Sequence, residues 1–284
     1  MGRQPHMLWE ALEEAASLGF VGVELVQGWP PGFAYPDPED TRRVDALRKL
    51  YDRYGPRILG IQAAPVGGAY DPSASGRDAW LASMARQARL VERLGGNVLG
   101  HWPGAPFSPR SADECIGLFV DSGRRAADAA ARLGVTIAIE IEPVFELNRF
   151  EWLARIVKDV GHPNWRAIYD PSHFDYMNGG TGRPEELLAR LGVANVGHVH
   201  FTDTNGTLRG AGTSKHLACG DGHIDVARNL DALWRGGYRG WIMLDCWEVP
   251  DQFDALRKGK AALDAARRRQ RQSGRTGAQP PSRP

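Results

Sequence analysis

Segments with helical periodicity and short segments rich in β-branched residues alternate along most of the chain. The first strand is predicted at Phe20–Val26 and the last at Trp241–Asp245, with a helical pattern between successive strands. Because consecutive parallel strands need a crossover connection, usually a helix, this alternation predicts an α/β fold built on a parallel sheet.

Seven strands are predicted, one fewer than the eight that close a (β/α)8 TIM barrel. They cover Phe20–Val26, Arg57–Ala63, Asn97–Pro103, Thr136–Glu142, Arg166–Asp170, Val196–Phe201 and Trp241–Asp245. The eighth should precede the helix that starts near Met7, where Met1–Pro5 is a poor strand. We therefore expect a barrel whose first strand is missing or irregular. A doubly wound open sheet is the alternative, although no Gly-x-Gly-x-x-Gly turn follows a strand.

The composition is that of an ordinary globular protein, with 42% hydrophobic and 24% charged residues. We expect one barrel domain over residues 1–269 and a disordered tail rich in Arg and Pro over residues 270–284. The formal net charge of +1 does not favour nucleic-acid or membrane partners. Three scattered cysteines and the lack of an apolar leader favour a cytoplasmic location. A homo-oligomer is compatible with the sequence.

Polar side chains recur at the carboxyl ends of the predicted strands. They are Gln62, His101, Glu140, Glu142, Asp170, His173, His200 and Asp245. In a parallel α/β barrel these strand ends meet at one rim, where the chemistry takes place. Any one of them alone is more commonly a loop cap or a hydrogen-bonded core group. Carboxylates and an imidazole delivered by four successive strands instead predict a shared divalent cation.

The strand period leaves two choices open within this set. His198 and His200 face the same way, since side chains two positions apart share a face. We expect His200, nearer the rim, to reach the cation and His198 to be a buried group below it. The same period puts Glu140 and Glu142 on one face and does not choose between them.

Six motifs carry a resemblance to a known superfamily. They are Leu18–Glu24, Gly134–Glu140, Asp170–His173, His198–Asp203, Gly220–Asp225 and Gly237–Asp245. From Met7 to about Ala265 the chain resembles the sugar phosphate isomerase/epimerase superfamily of xylose isomerase-like barrels. That superfamily includes ketose 3-epimerases, hydroxypyruvate isomerase, inosose dehydratase and endonuclease IV. Together the motifs are specific for the superfamily and weak for the substrate.

The resemblance implies a metal centre held by Glu140, Asp170 and His200, with His173 touching the substrate. In the family the fourth ligand is a Glu at the end of the last strand, where this sequence has Asp245, followed by Glu248 three residues on. Either the cation shifts toward the shorter Asp245, or a water intervenes, or Glu248 substitutes. Mn²⁺ is the first expectation, with Mg²⁺, Co²⁺, Fe²⁺ and Zn²⁺ as alternatives.

The implied activity is that of an isomerase or epimerase of a small-molecule keto-sugar or cyclitol. It would abstract a proton next to a carbonyl through a metal-stabilised enediolate, with Glu140 and Asp245 as base and acid and His173 orienting an oxygen. Further substrate contacts are expected from His101, Gln62, Trp102, Glu142, Asp203 and Glu248.

Three other functions compete with this activity. The first is a lyase of the inosose dehydratase or keto-glycoside β-elimination type, and the second is a non-catalytic sugar-binding subunit. An endonuclease IV-like activity is disfavoured by the low net charge and by the scarcity of further rim histidines.

Overall fold

Seven parallel strands form one sheet in which each strand pairs with the next along the chain. In this computed structural model, residues 8–26, 34–104, 107 and 110–276 are described. The strands are β1 (Gly22–Val26), β2 (Arg57–Ala63), β3 (Val98–His101), β4 (Thr136–Ile139), β5 (Trp165–Tyr169), β6 (Val196–Phe201) and β7 (Ile242–Leu244). They curve into a nearly closed barrel, which confirms the predicted fold; the doubly wound alternative, whose strand order reverses at a switch point, is wrong.

Helices connect the strands and cover the outside of the barrel. They are α1 (Leu8–Ser17), α2 (Thr41–Tyr54), α3 (Ala74–Leu94), α4 (Ala112–Ala131), α5 (Phe150–Val160), α6 (Pro171–Met177), α7 (Pro184–Leu191), α8 (Val226–Arg235) and α9 (Gln252–Thr276). Local sequence sets several of their ends. Ser111 and Glu114 form a capping box at the start of α4, and Gly95 ends α3 with a φ of +83°.

Side chains alternate between two environments along each strand. Val98, Ala138 and Ile168 form a small cluster inside the barrel. The larger core lies between the strands and the helices, where Leu99, Ile139 and many other apolar residues are buried. Residues of β3 and β4 that share a face with Val98 and Ala138 therefore point toward the barrel interior, and their neighbours point toward the helices.

The barrel has one seam, between β1 and β7. These two strands are the edges of the sheet, and no strand lies between them in the described part of the chain. A cavity of about 340 Å³ occupies the seam, lined by residues of both strands and of α1 and α9. This is where the predicted missing strand would lie; Met1–Pro5 is outside the described residues.

The end of the chain differs from the prediction. The final helix, α9, continues to Thr276, so residues 270–276 are helical where disorder was expected. Its Arg-rich sequence contains good helix formers, which favour continuation of an existing helix. Residues 277–284 of the predicted tail are outside the described part of the chain. Within the described residues, every helix is too short or too polar to span a membrane.

Candidate active site

A cavity of about 330 Å³ lies at the carboxyl ends of the strands. Its polar wall contains Gln62, Glu140, Glu142, His173, His200, His216 and Asp245. Its apolar wall includes Trp102, Met243, Leu244, Phe253 and Leu256. Most of the side chains predicted to lie at the rim thus meet around one space.

Glu140 lies at the centre of a chain of buried polar contacts on the cavity wall. Its Oε1 is 2.7 Å from Nδ1 of His200, and its Oε2 accepts a hydrogen bond of 2.7 Å from Nε2 of Gln62. The other ring nitrogen of His200 lies 2.8 Å from Oε2 of Glu24. His200 therefore lies between two carboxylates, while His198, one layer deeper, is 3.3 Å from the same Glu24 oxygen.

The buried carboxylates and imidazoles of this group shift one another's pKa values. Burial would lower the pKa of His200, but Glu140 and Glu24 outweigh it and hold that pKa well above its usual range. Burial also opposes the charge of Glu24, yet His200 and His198 lower its pKa to about 2. For Glu140, burial raises the pKa and the imidazole of His200 acts against it. Such pairing is the condition under which buried ionised groups are tolerated.

A glycine makes room for the side chain that orients Glu140. Gln62 on β2 is aligned with Gly100 on β3. A Cβ atom at position 100 would lie 1.8 Å from Oε1 of Gln62, closer than any real contact. The side chain of Gln62 can therefore cross β3 to reach Glu140 because residue 100 is glycine.

Asp170 divides its two oxygens between the backbone and the site. Oδ1 accepts hydrogen bonds from the amide of Ser172 at 2.7 Å, from the hydroxyl of Ser172 at 2.7 Å and from the amide of His173 at 3.3 Å. Through these bonds Asp170 caps the start of α6. Oδ2 is buried and has no hydrogen-bond partner among the described residues. It faces Nε2 of His173 and Nε2 of His216, each 3.9 Å away.

Asp245, directly after β7, faces His216. Its Oδ1 accepts a hydrogen bond of 2.8 Å from the amide of Trp247, and its Oδ2 is 3.6 Å from Nδ1 of His216. Burial would raise the pKa of Asp245, but His216 holds it below its usual range. Conversely, burial would lower the pKa of His216, and the carboxylates of Asp245 and Asp170 raise it to about 9.

The loop between β6 and α8 closes one side of the cavity. Its Ser214 hydroxyl is 3.0 Å from Nδ1 of His173, and its Thr213 hydroxyl donates a hydrogen bond of 2.6 Å to Glu142. Nε2 of His173 is 4.0 Å from the same Glu142 oxygen. The ring of His173 is therefore fixed at one nitrogen and directed toward acidic oxygens at the other.

Two groups of three side chains in the described chain have ligand atoms within 4.8 Å of one another. They are Glu24 with His198 and His200, and Asp170 with His173 and His216. Each contains one predicted ligand, and Glu140 and Asp245 contact these groups through His200 and His216. Oδ2 of Asp170 and both ring nitrogens of His216 are buried and lack hydrogen-bond partners among the described residues. Carboxylate oxygens and imidazole nitrogens left unpaired in this way fit a divalent cation.

The prediction that His101 contacts substrate does not agree with its position. His101 is fully buried, and its ring packs against Trp80, Phe119 and Trp165. On β3 it is aligned with the outward-facing Ile139, so it points toward the helices rather than into the barrel. It lies at the correct end of the strand but on the opposite face.

Asp203 and Glu248 also lie away from the cavity wall. Asp203 is fully buried, and its carboxylate accepts hydrogen bonds from four backbone amides, those of Thr204, Gly220, Gly222 and Ile224. Glu248 is half exposed and forms an ion pair of 2.8 Å with Arg209. Asp203 thus organises the loop, and Glu248 does not replace Asp245 beside the predicted ligands.

Two residues in the site were missed by the sequence reasoning. Glu24 is a single carboxylate within the apolar strand β1, and that isolation was a usable signal. His216 lies in a long irregular loop, where no periodicity predicts the direction of a side chain. The position of His216 between the motifs His198–Asp203 and Gly220–Asp225 was the signal that could have indicated it.

A nearly closed parallel barrel with acidic and imidazole side chains at its carboxyl rim defines the class of protein. Residues 12–269 match the family described as the xylose isomerase-like TIM barrel. The chain therefore belongs to this family, which confirms the resemblance found in its motifs.

Curated relatives with sequence similarity span most of the chain. A protein of Streptomyces coelicolor, named provisionally as a hydroxypyruvate isomerase, is 27% identical over 84% of this chain and 85% of its own length. The inosose dehydratase of Geobacillus thermodenitrificans is 22% identical, over 85% of this chain and 82% of its own. The chain thus resembles both isomerases and dehydratases.

Solved structures share the fold. A D-tagatose 3-epimerase-like protein superposes with a TM-score of 0.74 at 22% identity, covering 92% of this chain and 95% of its own. The IolI protein with a bound zinc atom has a TM-score of 0.71 at 20% identity, covering 91% and 92%. At these identities the likeness concerns the fold.

Proposed function

We propose that this protein is a divalent-metal-dependent isomerase or epimerase of a keto-sugar or cyclitol, which acts by removing a proton next to a carbonyl. One observation carries the proposal. Glu140 faces the cavity with one oxygen oriented by Gln62 and the other by His200. A carboxylate fixed in this way beside a cavity is suited to general-base catalysis. The family membership supports chemistry of this kind.

Glu140, Asp170, His200 and Asp245 would hold the cation. Their oxygen-rich donor set favours Mn²⁺, with Mg²⁺, Co²⁺, Fe²⁺ and Zn²⁺ as alternatives. When bound, the cation supplies Lewis-acid polarisation of the substrate oxygens. We also propose a cytoplasmic location, in line with the expectation from the sequence.

The side chains of the site divide the proton handling between them. Glu140 takes the carbon-bound proton, and Asp245, which follows β7, passes a proton taken up from solvent to the substrate. His173 orients a substrate oxygen through Nε2, because Ser214 holds its other nitrogen. Gln62 orients the Glu140 carboxylate beside the cavity.

A lyase is the second candidate, and the position of Glu142 favours it. Glu142 lines the same cavity as Glu140 and lies 4.0 Å from His173. A second acidic group beside the cavity can protonate a leaving β-hydroxyl or β-aglycone after proton abstraction. The similarity to an inosose dehydratase is consistent with this outcome.

The test is solvent deuterium exchange into candidate keto-sugars and inososes, with Mn²⁺ present. We expect Glu140→Gln to slow exchange by about 10²- to 10⁴-fold, the usual contribution of a general base. Glu248→Gln, an equivalent change at an exposed carboxylate, should leave exchange unchanged. Metal analysis of Asp170→Ala should show loss of the bound cation.

Product analysis distinguishes the candidates. Exchange with an epimer or isomer supports the first, and exchange with loss of water or an aglycone supports the lyase. Tight sugar binding without any exchange in the native protein would refute both and indicate a sugar-binding subunit.

A further inference from the structure

We infer that His216 is itself a ligand of the cation, and that Asp245 acts on the cation indirectly, by orienting His216. This inference rests on the metal site of the proposed function. It changes the ligand set implied by the family resemblance, in which the acidic residue after the last strand binds the metal directly.

The position of His216 is the first line of support. The side chain is 5% exposed and lines the same cavity as Glu140 and His200. Neither ring nitrogen has a hydrogen-bond partner among the described residues. A buried imidazole without hydrogen bonds is costly, and a cation bound at one ring nitrogen would offset part of that cost.

The two nitrogens face different acidic groups. Nδ1 is 3.6 Å from Oδ2 of Asp245, and Nε2 is 3.9 Å from Oδ2 of Asp170. A metal-bound histidine characteristically donates its other ring N–H to a carboxylate, which fixes the tautomer and the ring orientation. His216 has this arrangement, because its Nδ1 faces the carboxylate of Asp245 and its Nε2 faces Oδ2 of Asp170, which accepts no hydrogen bond from the described residues.

Asp245 is itself held in a way that suits an orienting role. Its Oδ1 accepts the amide hydrogen of Trp247, which leaves Oδ2 toward His216. Asp is one methylene shorter than the Glu expected here from the resemblance. His216 occupies the space between Asp245 and Asp170, so the imidazole extends the reach of the shorter side chain.

The backbone fixes the loop on both sides of His216. The amide of Leu217 donates to the carbonyl of Asp203 at 2.8 Å, and the amide of Lys215 donates to the carbonyl of Thr207 at 3.0 Å. The Asp203 carboxylate in turn binds backbone amides of the same loop. His216 is therefore presented to the cavity by an ordered segment, as a ligand requires.

Mn²⁺ titration of the full chain, stripped of metal, tests the inference. We expect His216→Ala to weaken Mn²⁺ binding by about 100-fold or more, beyond the 10- to 100-fold typical of removing an orienting partner. Asp245→Asn keeps an oxygen that can accept the Nδ1 hydrogen, so it should weaken binding by about tenfold or less. His216→Gln, which preserves a polar side chain, serves as the second variant if His216→Ala does not fold.

Electron spin-echo spectroscopy of bound Mn²⁺ gives a readout independent of activity and affinity. We expect modulation from imidazole nitrogens of both His200 and His216 in the native protein, and from one fewer imidazole in His216→Gln. The double variant His216→Ala with Asp245→Glu should recover most of the lost affinity, because the longer carboxylate can then reach the cation itself.

The outcomes separate this inference from the proposed function. If the native protein binds Mn²⁺ and Asp245→Asn weakens binding more than His216→Ala, the inference is overturned while the proposed metal site stands. An unchanged nitrogen modulation in His216→Gln has the same meaning. If the native protein binds no divalent cation, the metal site of the proposed function fails, and this inference fails with it.

Discussion

His101 offers a direct test of which face of β3 the structure assigns to the site. The side chain is buried among Trp80, Phe119 and Trp165, and its Nδ1 is 3.1 Å from the carbonyl of Trp102. Replacement by Leu keeps an apolar side chain of similar size and removes the titratable ring. We expect His101→Leu to retain Mn²⁺ binding and deuterium exchange, because the ring does not line the cavity.

The same replacement should change how stability depends on pH. Burial lowers the pKa of His101 from 6.5 to about 4. The unfolded chain therefore binds a proton near pH 6.5 that the folded protein resists, so stability is fully present above pH 6.5 and is lost as the pH falls toward 4. From pH 7.5 to pH 5.0 this one group costs the native protein about 2 kcal/mol of unfolding free energy.

Urea unfolding at pH 7.5 and pH 5.0, without metal, measures this difference. The free energy of unfolding should fall by about 2 kcal/mol less in His101→Leu than in the native protein. Phe119→Leu, a change in the same cluster without a titratable group, should lower stability equally at both pH values. Equal pH dependence of stability in His101→Leu and in the native protein would refute the assigned burial of the ring. Loss of deuterium exchange in His101→Leu would show that His101 belongs to the active site.

Three further predictions follow from the positions of residues around the site. Asp203→Ala should lower the free energy of unfolding in urea by about 2–4 kcal/mol, because buried backbone amides lose their acceptor. A change below about 0.5 kcal/mol, the size expected of a surface substitution, would contradict this. Glu248→Ala breaks a half-exposed ion pair with Arg209, so stability should change by about 1 kcal/mol or less and Mn²⁺ affinity should not change. Loss of the bound cation in this variant would show that Glu248 is a ligand. Gly100→Ala places a Cβ atom against Gln62, so deuterium exchange should slow. Native exchange rates in this variant would show that Gln62 does not orient Glu140.

Much of the fold was predictable because it depends on local patterns. Amphipathic helices, β-branched strands and glycines at helix ends can be read from short segments of sequence. The seven parallel strands lie near their predicted positions. The family motifs in these segments also anticipated the carboxyl rim. The end of α9 was predicted poorly, because the Arg-rich sequence after Arg268 fits either a helix or a tail.

The site was predictable only in part. Which face of a strand points into the barrel depends on how the whole sheet curves, and not on the strand's own sequence. Gln62 and His101 both lie near the carboxyl ends of their strands, yet Gln62 points to Glu140 and His101 points to the helices. A period of two indicates which residues share a face, but not which face becomes the interior.

The sequence by itself determined the alternation of elements, the family and most, though not all, of the acidic and imidazole residues at the carboxyl end of the barrel. Tertiary structure decided the pairings within that set. Glu24 meets His198 across 174 residues of chain, and an irregular loop brings His216 between Asp170 and Asp245. Contacts of this kind depend on barrel curvature and on loop conformation stabilised by buried groups such as Asp203, and neither is encoded in any short segment.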